Sequence, residues 1–90
     1  MDFIYESNRI YAESENGDVI AEVDFPNVTD EVVDINHTFV DDSLRGQGVA
    51  GRLLQEAVKT IRQQGKKAKA TCSYAVSWFA KHEEEQDLLD

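Results

Sequence analysis

Val32-Val33-Asp34-Ile35-Asn36-His37-Thr38-Phe39-Val40-Asp41-Asp42-Ser43-Leu44-Arg45-Gly46-Gln47-Gly48-Val49-Ala50-Gly51-Arg52-Leu53-Leu54 is the stretch on which the fold turns, because its hydrophobic period changes partway along. Over 32–40 the β-branched and aromatic residues read as an extended strand, and if it runs without a bulge Val33, Ile35, His37 and Phe39 share one side. After Ser43 the spacing becomes helical: Ala50, Leu53, Leu54, Ala57, Val58 and Ile61 recur on one face, with Arg52, Gln55, Glu56, Lys59 and Arg62 opposite. Gly65 is placed to end that helix, and Arg62 sits near its negative pole. Between the two periods stand Gly46, Gly48 and Gly51. A strand that hands over to a helix through glycines can aim unbonded N–H groups, at the positive end of the helix dipole, toward an anion. Without side chains, a ligand can come close to that backbone.

Upstream of this stretch the chain reads as strands. Residues 2–5 and 9–14 are extended candidates, Asn16-Gly17 is a hairpin turn, and 19–25 alternates with Val19, Ala21, Val23 and Phe25 on one face and Glu22 and Asp24 on the other. Pro26-Asn27 breaks that strand. Downstream, 67–71 is a short strand, Ser73 is the expected cap of a last helix containing Ala75, Val76, Phe79 and Ala80, and the acidic residues from Glu83 onward read as a frayed tail. Strands 32–40 and 67–71, joined by a helical crossover, are expected to be parallel neighbours. The fold class is α+β: a mixed, mainly antiparallel sheet with one parallel strand–helix–strand unit and two main helices, in a single domain over 1–90.

Composition narrows the function classes. A hydrophobic fraction of 41% suits a globular chain, and no apolar run is long enough to cross a bilayer. The single cysteine, Cys72, has no internal disulfide partner, and no Cys/His set has zinc spacing. A cytoplasmic protein without metal is the simplest expectation. The net charge of −9 is unevenly spread: residues 1–42 hold twelve acids against Arg9, 43–81 hold eight bases against Glu56, and the last nine residues hold five acids. The acidic blocks weigh against nucleic acid, while an anionic ligand suits the basic middle and a cationic one the acidic first half; solubility alone explains the imbalance equally well.

Several phosphate-binding patterns compete for the glycines. Gly46-Gln47-Gly48-Val49-Ala50-Gly51 satisfies the dinucleotide fingerprint, but the next strand runs into Ala70-Thr71-Cys72 rather than a ribose-binding acid, and no further strand–helix units remain. The triphosphate-binding loop is excluded because no Gly-Lys-Ser/Thr follows. Arg45-Gly46-Gln47-Gly48-Val49-Ala50 does match the Q/R-x-x-G-x-G/A signature of the GNAT superfamily of acetyltransferases. The flanking Ile35 to Ser43 and the later Cys72-Ser73-Tyr74-Ala75 with Trp78-Phe79 resemble the minimal, single-domain branch of that superfamily.

The resemblance implies a GNAT-like acyl-CoA acyltransferase fold and an acetyl-CoA-dependent N-acetyltransferase. In such a protein Arg45, Gly46, Gln47, Gly48, Val49, Ala50 and Gly51 hold the coenzyme A pyrophosphate. Strand 32–40, often bulged in this family, offers the backbone of Thr38, Phe39 and Val40 to the pantetheine arm, which runs between strands 32–40 and 67–71 where they splay, and the thioester ends near His37 and Cys72. The helices between the first strands and the terminal hairpin of larger relatives are missing, so the acceptor stays open: a small cationic amine or a protein amino group. A non-catalytic acyl-CoA-binding or sensing module is the alternative.

Three side chains carry the chemistry on this reading. Cys72, between a strand and a helix start, can accept the acetyl group as a thiolate favoured by the helix dipole, or be a small buried apolar side chain. His37 can act as base, or be a hydrogen-bonded core histidine among Val33, Ile35 and Phe39. Tyr74 resembles by position the tyrosine that protonates the departing thiolate, or packs as an aromatic. The oligomeric state is left open.

Overall fold

A computed structural model describes residues 1–90. The Asn16-Gly17 turn forms with Gly17 at φ +85°, the left-handed region a tight hairpin requires. It joins β2 (Arg9–Glu13) to β3 (Val19–Asp24) in antiparallel register, Ile10 opposite Val23 and Ala12 opposite Ala21. A short β1 (Ile4–Glu6) pairs with the other edge of β2. Pro26 has no N–H to offer a ladder, and β3 ends just before it.

The expected continuous strand over 32–40 is instead two strands in two sheets. β4 (Val32–Ile35) pairs in parallel with β6 (Lys67–Ala70), while β5 (His37–Val40) pairs antiparallel with β3, giving a four-stranded sheet β1-β2-β3-β5 and a two-stranded sheet β4-β6. Asn36 is the joint; its N–H donates to the Asp24 carbonyl and that of Asp34 to the Pro26 carbonyl. Side chains alternate with a period of two, so one unpaired residue flips every later side chain to the other face. Val33 and Ile35 are buried as expected, but beyond Asn36 it is Thr38 and Val40 that turn inward, and His37 and Phe39 stand exposed.

The crossover helix α1 (Val49–Gln63) buries Leu53, Leu54, Ala57, Val58 and Ile61 against the face carrying Ile10, Ala12, Ala21 and Val23. Gly65 ends it as expected, at φ +71°, with its own N–H on the Arg62 carbonyl and that of Lys66 on the Ile61 carbonyl. The last helix, α2 (Ser73–Lys81), is capped by Cys72 rather than Ser73: the Cys72 sulfur accepts the Ala75 N–H at 3.3 Å. Trp78 and Phe79 enter the core, which contains no buried polar residue. No helix is long and apolar enough to cross a membrane.

Residues from Glu83 are not a frayed tail. Glu83–Leu88 is a 3-10 helix with Leu88 buried, and the Asp90 N–H bonds the Ala68 carbonyl beside β6. Arg62 on α1 clasps Glu85 at 2.9 Å and Asp87 at 2.7 Å. Leu88 and the half-buried Leu89 supply the apolar anchor that a purely acidic tail would lack, and the ion pairs fix its course.

Candidate functional site

The glycine-rich turn begins at a capped 3-10 turn, Asp42–Leu44. The Asp41 carboxylate accepts the Ser43 hydroxyl at 2.6 Å and the Ser43 N–H at 3.0 Å, which holds its pKa below the usual carboxylate value. Gly46 and Gly48 then adopt φ +82° and +71°, conformations unfavourable for residues with a Cβ. Gly48 is the N-cap of α1 and offers no side chain to satisfy the helix. The N–H groups of Gly46, Gly48, Val49, Ala50 and Gly51 consequently have no acceptor within the protein. They border a cavity of about 240 Å³ closed by Val40, Leu44, Arg45 and Tyr74. Donors of this kind at a helix N-terminus form an anion site.

The two arginines expected beside the turn behave differently. Arg45 lines the cavity and is held by Asp42 at 2.7 Å, both side chains largely exposed. The Arg52 guanidinium stacks over Phe3 at 5.1 Å, away from the cavity lining, as is the side chain of Gln47. Tyr74 reaches over the first turn of α1; a Cβ built on Gly51 would lie 3.8 Å from its hydroxyl.

Beside this cavity the two sheets part. The Ile35 carbonyl accepts the N–H groups of both Thr71 and Cys72 at 3.2 Å, which ends the β4–β6 ladder, and the outer edge of β5 has no strand against it. Cys72 lies in the split, its sulfur 3.4 Å from the Thr38 hydroxyl. Thr38 and Val40 are half-buried on this side, while the Phe39 side chain stands exposed on the other.

The expected meeting of His37 with Cys72 does not occur. His37 is neither in the core nor beside the thiol; the slip at Asn36 puts it on the opposite face, across from Asp24. The residue that does meet the thiol, Thr38, is the one that a strand without a bulge would point away. On the opposite face, ligand atoms of Glu22, Asp24 and His37 lie within 4.8 Å of one another. Arg9 already supplies a cation there: its Nε is 2.6 Å from Glu22 and 3.8 Å from Asp24, and its guanidinium lies 3.8 Å over the Tyr11 ring. Arg9 lowers the Glu22 pKa, while desolvation, reinforced by hydrogen bonding to Glu22, raises that of Asp24.

Comparison with known proteins agrees with this geometry. The family described as GCN5-related N-acetyltransferase matches residues 9–88. The solution structure of a GCN5-like protein from Staphylococcus aureus aligns over 99% of this chain and 87% of its own, with a TM-score of 0.81 and 30% identity. A GNAT family N-acetyltransferase from Escherichia coli, crystallised in complex with CoA, aligns over 64% of this chain and 35% of its own, with a TM-score of 0.56 and 27% identity. An acetyltransferase of the same family from Elizabethkingia anophelis, with acetyl-CoA bound, shares the fold at a TM-score of 0.62 and 17% identity, over 84% of this chain and 50% of its own. The chain thus spans half or less of those two larger proteins. No curated protein matches the sequence.

Proposed function

The chain belongs to the GCN5-related N-acetyltransferase family, and from that premise we propose that it transfers the acetyl group of acetyl-coenzyme A to the amino group of a cationic acceptor. The observation that carries this reading is the set of unbonded N–H groups from Gly46 to Gly51, bordering a cavity that lies beside the split between β5 and β6. They are placed to hold the pyrophosphate. The free edge of β5 at Thr38 to Val40 can pair with the amide-bearing pantetheine, which brings the thioester to Thr38 and Cys72. A cytoplasmic setting, where acetyl-coenzyme A is made and thiols stay reduced, fits the single free cysteine.

Two routes use these residues. In direct transfer, the neutral amine attacks the thioester carbonyl, the carbon–sulfur bond breaks, and the departing thiolate takes a proton from Tyr74, the one hydroxyl side chain lining the cavity; the nitrogen sheds its extra proton to solvent, from which the phenol is restored. In the covalent route, the Cys72 thiolate attacks the thioester carbonyl, the bond to the coenzyme A sulfur breaks, that thiolate leaves with a proton from Tyr74 or solvent, and Cys72 becomes an acetyl thioester beside the Thr38 hydroxyl. The amine then takes the acetyl group, the Cys72 thiolate leaves, and the nitrogen loses its proton to solvent. A second reading, an acyl-CoA-binding or sensing module acetylated on Cys72, is favoured by one observation: His37 is on the other face from the thiol. Release of free coenzyme A with a panel of amines separates them. Steady turnover with any amine supports the enzyme, and binding without turnover supports the sensor.

A further inference from the structure

Strands β1, β2, β3 and β5 present two faces, and α1 covers only one. The bare face carries two rows of cross-strand neighbours. Ile4, Tyr11, Glu22 and Phe39 form the first, and Glu6, Arg9, Asp24 and His37 the second. Ile4 and Phe39 are 38% and 39% exposed, so apolar surface is mixed with acid there. Three carboxylates oppose one guanidinium. Arg9 is committed to Glu22 and to the Tyr11 ring, which leaves Asp24 and Glu6 with the longer contacts of 3.8 Å and 4.0 Å.

Neither of the protein's two cavities is on this face. One is the 240 Å³ pocket at the glycine turn; the other, of about 490 Å³, lies between β6, α2 and the C-terminal residues. Sites for small molecules are concave and bury most of the ligand. A flat sheet face can bury a ligand only if the ligand is itself extended and spreads over several strands. We propose that the acceptor is a basic polypeptide segment that docks on this bare face, with arginine or lysine side chains against Glu6, Glu22 and Asp24, apolar ones against Ile4 and Phe39, and the reacting lysine reaching over the β5 edge toward Cys72. Charge complementarity selects the partner: Arg9 is the only base in residues 1–42, against twelve acids. The inference rests on the acetyltransferase reading for its reaction, but the docking stands or falls by itself.

The test uses the full chain labelled with 15N and a blocked nine-residue peptide with one central lysine flanked by leucines and arginines. Titration should shift the amides of Tyr11, Glu22, Asp24, His37 and Phe39, with dissociation constants about tenfold weaker in the Glu22→Gln/Asp24→Asn double variant. The acidic residues Glu83, Glu84 and Glu85 are an internal control, since unspecific attraction would move them as much. Shifts spread over both acidic regions, shifts confined to the C-terminal helix, or no shifts at all would each overturn the docking. With acetyl-coenzyme A present, the peptide should be acetylated faster than free lysine or spermidine; equal or faster turnover of the small amines would overturn the assignment of a polypeptide acceptor. Specific shifts without acetylation of any amine would leave the docking in place and overturn the enzymatic reading instead.

Discussion

Gly48 and Gly65 make a matched pair at the two ends of α1. Both have φ +71°, and a Cβ built on either meets nothing within 4 Å. Replacing each in turn with alanine imposes the same left-handed strain, on the order of 1–2 kcal/mol, partly offset by roughly 0.4–1 kcal/mol from the reduced freedom of the unfolded chain. The net loss is about 1 kcal/mol in each variant, which for a domain of this size lowers Tm by roughly 4–8 °C. Their effects on ligand binding should differ. Gly48 lines the cavity between unbonded N–H groups, so its new methyl stands where a phosphate must approach the backbone. Losing one charge-assisted hydrogen bond costs about 1.5–3 kcal/mol, or roughly a tenfold or greater rise in Kd for coenzyme A. Gly65 is at the other end of the helix and should leave that Kd unchanged. Calorimetric titration of coenzyme A into both variants, beside thermal melts, checks both halves. Equal affinities for the two variants would remove the phosphate-cradle argument, and a stable Gly65→Ala would show that the strain estimate is wrong.

Incubation with acetyl-coenzyme A should add one acetyl mass to the protein and to Cys72→Ser only as an oxygen ester, while Cys72→Ala should show none; persistence in the alanine variant would exclude Cys72 as acceptor. Cys72→Ala also removes the cap on the Ala75 N–H, at a cost of about 1 kcal/mol in a denaturant melt. Asp24→Asn should raise Tm at neutral pH: a carboxyl whose folded pKa is raised by desolvation disfavours the folded state once ionised, and the penalty fades as pH falls through that raised value. A lower Tm for this variant at pH 7 would contradict the assignment. Asp87 is the opposite case. Arg62 depresses its folded pKa, so its contribution is present above the ordinary carboxylate value near 4 and is lost as pH falls through the lower folded one. The protection factor of the Asp90 amide, its exchange rate referred to that of an unstructured chain at the same pH, should therefore fall in acid, and in Arg62→Ala at neutral pH; unchanged protection in both would mean the clasp does not hold the tail.

The α1 pattern, the hairpin at Asn16-Gly17, the helix end at Gly65 and the parallel pairing across the crossover were all legible, because each follows from local residue chemistry or from the period of burial. A bulge in strand 32–40 was foreseeable from the resemblance, but its place at Asn36 and the change of sheet there were not: Asn36 is a weak strand former, yet nothing local says that pairing changes partner at it. Its cause is non-local: β3 runs out at Pro26, so residues before Asn36 find their partner in β6 and residues after it in β3. That single residue decides which of His37 and Thr38 meets Cys72. The acidic tail misled for a related reason. Its charge suggests a solvated end, but Arg62 stands more than twenty residues earlier, in the last turn of α1, and only the fold brings it to Glu85 and Asp87.

The management of sheet edges points to the same place as the glycines. Unpaired strand edges invite association and are normally shortened, charged or covered. β1 is three residues long and ends in Glu6, and the far edge of β6 is covered by Leu89 and Asp90, with Lys69 pairing to the Asp90 carboxylate. The edge of β5 facing β6 receives none of these treatments, although it adjoins Cys72 and runs on through Val40 into the glycine turn. Closing it would take only a continuation of the β4–β6 ladder past Ile35, and the double use of the Ile35 carbonyl by Thr71 and Cys72 prevents that continuation. A backbone edge kept open inside the molecule, and continuous with a cluster of unbonded N–H groups, suits a ligand that is extended, carries amides and ends in phosphate. Coenzyme A has that order of groups, so on the function proposed above the split and the turn would serve as two parts of one binding track.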